Sequence, residues 1–495
     1  MTIQTQAPGS SRAATASDAT TAEREVSRED RLFGRVLSLV SLGTVLVLMA
    51  RVTKHASDPL DNTDMWFHLK LGHEFLGGWS LRHPGHLSSF ATSPWTPTQW
   101  STEILAAKMD DWFGLPGVAW LFGLLYLVLI AAVFFLCRRH GDLLPAAIAV
   151  GVCVVAAGAS LSARPQVVSL VLFTLSVAAW GRATRTVTPP WWLVPLTWVW
   201  ATAHGLWTAG VLVGVATAVG IAVEQKIGWR RTGGLLAVPV LSVVAACLTP
   251  VGPALLTSQL AVGARTSMIT EWGPTSFREP AAFLAAAMVG VTVLRWARRG
   301  SIGWTSLFQL ILAGGWVLLV SRMVPFGAIL AAPLFVAAVT EVVPDRTRSA
   351  LAARSERLIV LGGALLCLIG LTLAVPHTAD RPGGVPTKFS ARLAELPTGS
   401  AVVVEDGAGA WMEYAFPGLN PTIDGMLDAY PVGYIRKFSN LTAVGHGWTD
   451  FVDDSGARVA VVLKDSPLEG GLTGQLHWRM VQKDRDWVYL EAPSS

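Results

Sequence analysis

Charge is scarce in this chain. Asp, Glu, Lys and Arg make up 15% of its 495 residues against 52% apolar residues, and the mean hydropathy is +0.47. An ordinary soluble domain carries more charge than that. Cysteine is scarce too: Cys137, Cys153, Cys247 and Cys367 all lie in or at the edge of apolar runs, as small packing residues. That excludes a disulfide framework and a cysteine-based metal site. Residues 1–30 have no apolar core, and no small-residue cleavage pattern follows the first apolar stretch. They read as a disordered cytoplasmic tail and not as a signal peptide. A Gly-rich nucleotide fingerprint and a fixed-period repeat are both missing.

Long apolar runs are what the chain has instead. A run near 20 residues can cross a hydrocarbon core about 30 Å thick. Eleven can be traced: 32–49, 116–137, 143–161, 167–180, 191–203, 207–223, 235–248, 281–296, 307–320, 324–342 and 358–375. The net charge of +4 says little, but its distribution orients the chain. Every second connection carries an Arg cluster, at Arg138 and Arg139, at Arg182 and Arg185, at Arg230 and Arg231, at Arg298 and Arg299, and at Arg346 and Arg348. Basic connections stay on the cytoplasmic side. The N-terminus is therefore expected inside, with residues 31–376 forming a membrane domain and a long first loop, 52–115, outside. From about 377 the composition changes to short β-rich runs at 401–404, 422–425, 458–463 and 487–490, separated by helical stretches. The expected fold is an α-helical polytopic membrane protein of about 11 transmembrane helices, with a small C-terminal α/β extracytoplasmic domain at 377–495.

The first loop gathers the polar residues. Asp64 is placed to cap a helix, and a start one turn earlier would put Asp61, Asp64 and His68 on one face. A carboxylate there could take a proton from a hydroxyl, and Asp61 with Asp64 could instead hold a hard divalent cation such as Mg or Mn. The plain alternative is a capping Asp on a solvated helix face. Five of the ten histidines (His55, His68, His73, His83, His86) lie in this loop, but their spacings give a zinc site little support. Trp66 and Trp100 are open to two readings, interface anchoring or stacking on sugar rings. Arg164, Arg322 and His204 stand at expected outer ends of spans, where an Arg can bind phosphate or snorkel to headgroups. Glu271 with Trp272 is a weaker pair. Asp406, Asp424, Asp428 and Tyr430 could form a binding face on the C-terminal domain.

These residues carry a resemblance. The stretch from Asp61 to Leu69, the later Ser88-Ser89-Phe90 and Trp100-Ser101-Thr102-Glu103, Ala163-Arg164-Pro165, His204-Gly205, Arg322 with Pro325, and Thr422-Ile423-Asp424-Gly425 resemble a bacterial subgroup of the GT-C superfamily of membrane glycosyltransferases. The resemblance implies transfer of a sugar from a polyprenyl-phosphate-linked donor to a saccharide or protein acceptor outside the membrane, with no nucleic-acid partner. It implies that Asp64 or Asp61 serves as base or helps place a metal. Here the two acids are separated by two residues, unlike the commoner Asp-x-Asp form. On this reading Asp64 is the general base with Asp61 and His68 beside it. Arg322 and Arg164 stabilise the departing lipid phosphate, and His204, Glu103, Trp66 and Trp100 line the substrate site. The competing expectations are a transporter or flippase of lipid-linked saccharide and a non-catalytic scaffold for envelope assembly. Few ionisable residues fall at the centres of the runs, which favours chemistry at one face over transport.

Overall fold

The computed structural model describes residues 28–258, 272–344, 348–405 and 407–493. Most of the N-terminal tail, Glu271, Arg346 and Asp406 lie outside the described residues.

Each of the eleven apolar runs is a helix. They are α1 (Arg28–Ser57), α4 (Leu115–Arg138), α5 (Leu143–Ala156), α6 (Gln166–Thr186), α7 (Leu193–Ala203), α8 (Thr208–Gln225), α9 (Trp229–Cys247), α10 (Pro280–Arg299), α11 (Trp304–Leu319), α12 (Val324–Thr340) and α13 (Ala353–Thr378). Among the described residues eight helices are long and apolar enough to cross a membrane, while α5, α7 and α11 are shorter apolar helices. The chain is a polytopic helical membrane protein. The most enclosed of these helices is α12, and the most peripheral is α13. The basic connections meet at one end of the bundle: Arg138 binds Glu356 at 2.8 Å, Arg299 binds Glu341 at 2.6 Å, and Arg348 lies 3.7 Å from Asp142.

The first loop closes the opposite end with two helices, α2 (Asp64–Leu76) and α3 (Trp100–Phe113). They lie close enough at Gly72 that a Cβ there would overlap the Glu103 carbonyl. α3 in turn is pinned to the end of α7, where Thr102 Oγ1 donates to the Ala203 carbonyl at 2.9 Å and Thr202 Oγ1 to Ser101 Oγ at 3.0 Å.

The C-terminal part holds a five-stranded sheet of order β2-β1-β3-β5-β4. Its strands are β1 (Ala401–Val404), β2 (Asn420–Pro421), β3 (Val459–Leu463), β4 (Arg479–Lys483) and β5 (Trp487–Glu491). β2, β1 and β3 run parallel, and β5 and β4 are antiparallel additions. Helix α14 (Ala408–Ala415) follows β1 and packs on α2. The sheet rests on the first loop: Ser88 Oγ donates to the Pro421 carbonyl at 2.8 Å, Ser93 N–H to the Ala429 carbonyl at 2.8 Å, and Tyr414 OH to Asp110 Oδ2 at 2.8 Å. Loop and sheet therefore share one face.

Two expectations for this part are corrected. Residues 422–425 follow a strand that ends at Pro421; Thr422 N–H still donates to the Val402 carbonyl at 3.0 Å, and Thr422 to Asp424 are buried. Asp424 and Tyr430 are 2% and 0% exposed, so they form no binding face. The edge strand β4 went unforeseen because its mostly exposed Arg-Met-Val-Gln-Lys sequence carries no apolar alternation.

Candidate functional site

The helix α2 starts at Asp64 and no earlier. Its cap position is Thr63, whose side chain makes no capping bond, and Asp64 stands in the first turn. Asp61 therefore lies before the helix, and the shared face expected for Asp61, Asp64 and His68 does not form. The reason is visible next door: Leu60 bridges to Pro382, and Gly383 N–H donates to the Leu60 carbonyl at 2.9 Å. That pairing holds the segment extended. Asp61 is exposed and, with His55, Tyr126 and Ser162, lines a small cleft of about 30 Å³.

Asp64 has a different partner. Arg164 Nη1 donates to Asp64 Oδ2 at 2.8 Å across 100 residues of sequence. The guanidinium is fixed from behind, with Nε on Ser162 Oγ at 3.0 Å and Nη2 on the Ala159 carbonyl at 3.2 Å. Its side chain is 11% exposed while that of Asp64 is 36% exposed, so the carboxylate stands at the mouth and the cation beneath it.

His68 faces inward. Its Nδ1 lies 2.9 Å from Glu103 Oε1, and both residues are buried. Burial raises the Glu103 carboxyl to about 8 and holds the His68 imidazole well below its ordinary range, an effect that the charges of Arg164 and Arg322 reinforce. At neutral pH the pair is uncharged, with a proton between Nδ1 and Oε1. His73, one turn and a half further along, also reaches α3: its Nε2 lies 3.0 Å from Asp110 Oδ2. The spacing of five does not separate the two histidines, because each meets a different turn of the same neighbour.

His204 caps the end of the 11-residue α7 and is buried. Its Nδ1 accepts from Ser169 Oγ at 2.8 Å and from Leu206 N–H at 3.3 Å, so the ring hydrogen sits on Nε2. Trp200 Nε1 donates to the same Ser169 Oγ at 2.6 Å. This Ser169–Trp200 support escaped the sequence reading, and its one signal was a serine inside an apolar run. Arg322 lies over the Trp272 ring at 5.5 Å. The charges of Arg322 and Arg164, together with His68, act on His204.

The structure thus brings together Asp64, His68, Glu103, Arg164, His204 and Arg322 from segments far apart in the chain. Trp66 does not join them: it is 0% exposed and packs on the Tyr414 ring at 5.2 Å, which corrects its place as a stacking surface for substrate. Trp100 is half-buried at the start of α3 with its indole N–H enclosed and unpartnered.

A divalent cation at Asp61 and Asp64 does not fit this donor set. Asp64 is already bound by a guanidinium, and among the described residues no three His, Cys, Asp or Glu side chains converge on a metal position. A hard cation takes about six or more oxygen ligands.

No family model and no curated protein matches the sequence. Solved structures do. ArnT from Cupriavidus metallidurans bound to undecaprenyl phosphate is similar over 91% of this chain and 97% of its own, at 16% identity and a TM-score of 0.49. The oligosaccharyltransferase AglB of Archaeoglobus fulgidus, in complex with an inhibitory peptide and a dolichol-phosphate, is similar over 85% of this chain and 69% of its own, at 12% identity and a TM-score of 0.47. The same archaeal enzyme in complex with Zn and sulfate gives 85%, 68%, 13% and 0.45 in the same order. A likeness of this degree assigns neither substrate nor residue, and the functional reading rests on the site itself.

Proposed function

We propose that the chain is a membrane glycosyltransferase that moves a sugar from a polyprenyl-phosphate-linked donor to an acceptor on the outer face of the membrane. The observation that carries the reading is the convergence of one accessible carboxylate, two arginines and two histidines at the end of the bundle opposite the basic connections. By the charge rule that end is extracytoplasmic.

The chemistry follows from what each side chain can do. Asp64, at the mouth, takes the proton of the acceptor hydroxyl as its oxygen attacks the anomeric carbon. Arg164 orients that carboxylate through Oδ2. Arg164 and Arg322 together receive the charge that develops on the leaving lipid phosphate, in surroundings where a fixed cation acts more strongly than in water. The neutral His68–Glu103 pair adds hydrogen-bonding capacity without adding charge, so it does not compete with the arginines for the phosphate. His204, its Nδ1 engaged, offers Nε2–H as a neutral donor. The small C-terminal domain covers α2 and gives the acceptor side its wall. A transporter reading lacks a matching feature, since these polar groups gather at one end.

The test is transfer by the purified chain from synthetic polyprenyl-phosphate sugars to a panel of saccharide and peptide acceptors. Product is expected with the native chain and is lost with Asp64→Asn while the variant still melts cooperatively. Transfer that survives both Asp64→Asn and Asp61→Asn would overturn the assignment.

A further inference from the structure

The end of the bundle away from the proposed reaction holds a cavity of its own. Helices α4 and α13 run antiparallel and touch near the loop end, where Trp120 Nε1 donates to Thr372 Oγ1 at 2.9 Å and a Cβ on Gly123 would press on Leu371. At the basic end Arg138 on α4 still reaches Glu356 on α13 at 2.8 Å, and a gap lies beside that pair. Phe134, Phe135, Arg138, Arg139, Ala353, Glu356 and Arg357 line the gap, a cavity of about 280 Å³. At about 30 Å³ for each water-sized group, that holds a phosphate and its glycerol linkage.

Charge within the cavity is unbalanced. Glu356 is buried and satisfied, with Arg138 donating to Oε2 through Nε at 2.8 Å and Ser349 Oγ donating to Oε1. Arg138 and Glu356 cancel each other. Arg139 and Arg357 are exposed at the rim, and among the described residues neither is paired with a carboxylate. The first turn of α13, at Ala353, adds backbone N–H groups to the same wall. Below the rim the surface is apolar and open. Leu361 and Leu365 follow Arg357 at successive four-residue steps on α13 and are 51% and 57% exposed. Two cations above an open leucine stripe match an anionic head above an acyl chain.

We infer that this cavity binds an anionic phospholipid of the basic-side leaflet, with its phosphate between Arg139 and Arg357 and an acyl chain along Leu361 and Leu365. The arrangement owes nothing to the sugar-transfer reading and stands or falls separately from it.

The experiment measures lipid retention by the purified full-length chain, by native mass spectrometry, in phosphatidylglycerol and in phosphatidylcholine. Phosphatidylglycerol is expected to bind at least about tenfold more tightly, and Arg139→Gln with Arg357→Gln to remove that preference, roughly fivefold for each arginine. Equal retention of the two lipids, or a preference untouched by the double substitution, overturns the site. Glycerol phosphate added alone separates lipid from soluble phosphate: binding as tight as that of phosphatidylglycerol overturns the lipid as occupant. The melting midpoint in phosphatidylcholine reports folding, and if the double variant does not fold, the exposed Arg357→Gln alone is expected to show the fivefold loss.

Discussion

The two ends of the helix bundle use charge in opposite ways. At the basic end the Arg299–Glu341 pair is open to solvent, with side chains 55% and 45% exposed, and of the pairs there Arg138–Glu356 is the one drawn inward, at 19% and 3%. At the loop end His68 and Glu103 are 8% and 2% exposed, and Arg164 is 11% exposed beneath Asp64. Solvated charges give orientation and solubility, and each pair contributes about 0–1 kcal/mol. Desolvated charges are costly to keep, hold perturbed protonation states and act strongly on whatever binds beside them. The first kind tells a membrane which way the protein lies. The second kind is where chemistry is expected.

Substitutions that move one end toward the character of the other sharpen this contrast. The largest effect is expected at the mouth, where Asp64→Asn should lower the transfer rate by roughly 10²–10⁴-fold, the usual worth of a positioned base. Next comes Glu103. Its carboxyl is raised in the folded protein, so the stability linked to its proton is fully present below the ordinary carboxylate range and is lost as pH rises to about 8. Melting curves above the ordinary imidazole range, from about pH 6.5 to 9, should show that decline in the native chain and a flatter profile in Glu103→Gln; below it the neutral His68 offsets the slope. Arg164→Gln should cost about 1–3 kcal/mol by chemical denaturation, below the range of a fully buried pair because Asp64 is 36% exposed. The smallest effect is expected at the other end, where Arg299→Gln or Glu341→Gln should change stability by no more than about 0.5 kcal/mol.

The fold was legible wherever the sequence signal is local. Apolar runs and their Arg punctuation marked all eleven helices, including the short α7, and short continuous valine-rich runs marked β1 and β3. The site was legible as residue types at helix ends, since Arg164, His204 and Arg322 are polar groups in places where polarity is costly. Their partnerships were not, because they join segments far apart in the chain. Nothing near Asp64 announces Arg164, and nothing near His68 announces Glu103. The shared face of Asp61, Asp64 and His68 failed for the same reason, since a pairing with Pro382, beyond the last membrane helix, fixes where α2 begins. Trp66 shows the converse error: it lies in a loop rich in polar residues, but the Tyr414 ring of the distant C-terminal domain packs against it.

A titration of the purified chain with undecaprenyl phosphate tests the division between the two ends most directly. Arg164→Gln and Arg322→Gln are each expected to weaken binding about tenfold, as loss of a charge-assisted phosphate contact does, while Arg139→Gln with Arg357→Gln leaves it unchanged. Binding that survives substitution of Arg164 and Arg322 but falls with Arg139 and Arg357 would contradict the account and move the donor to the basic end.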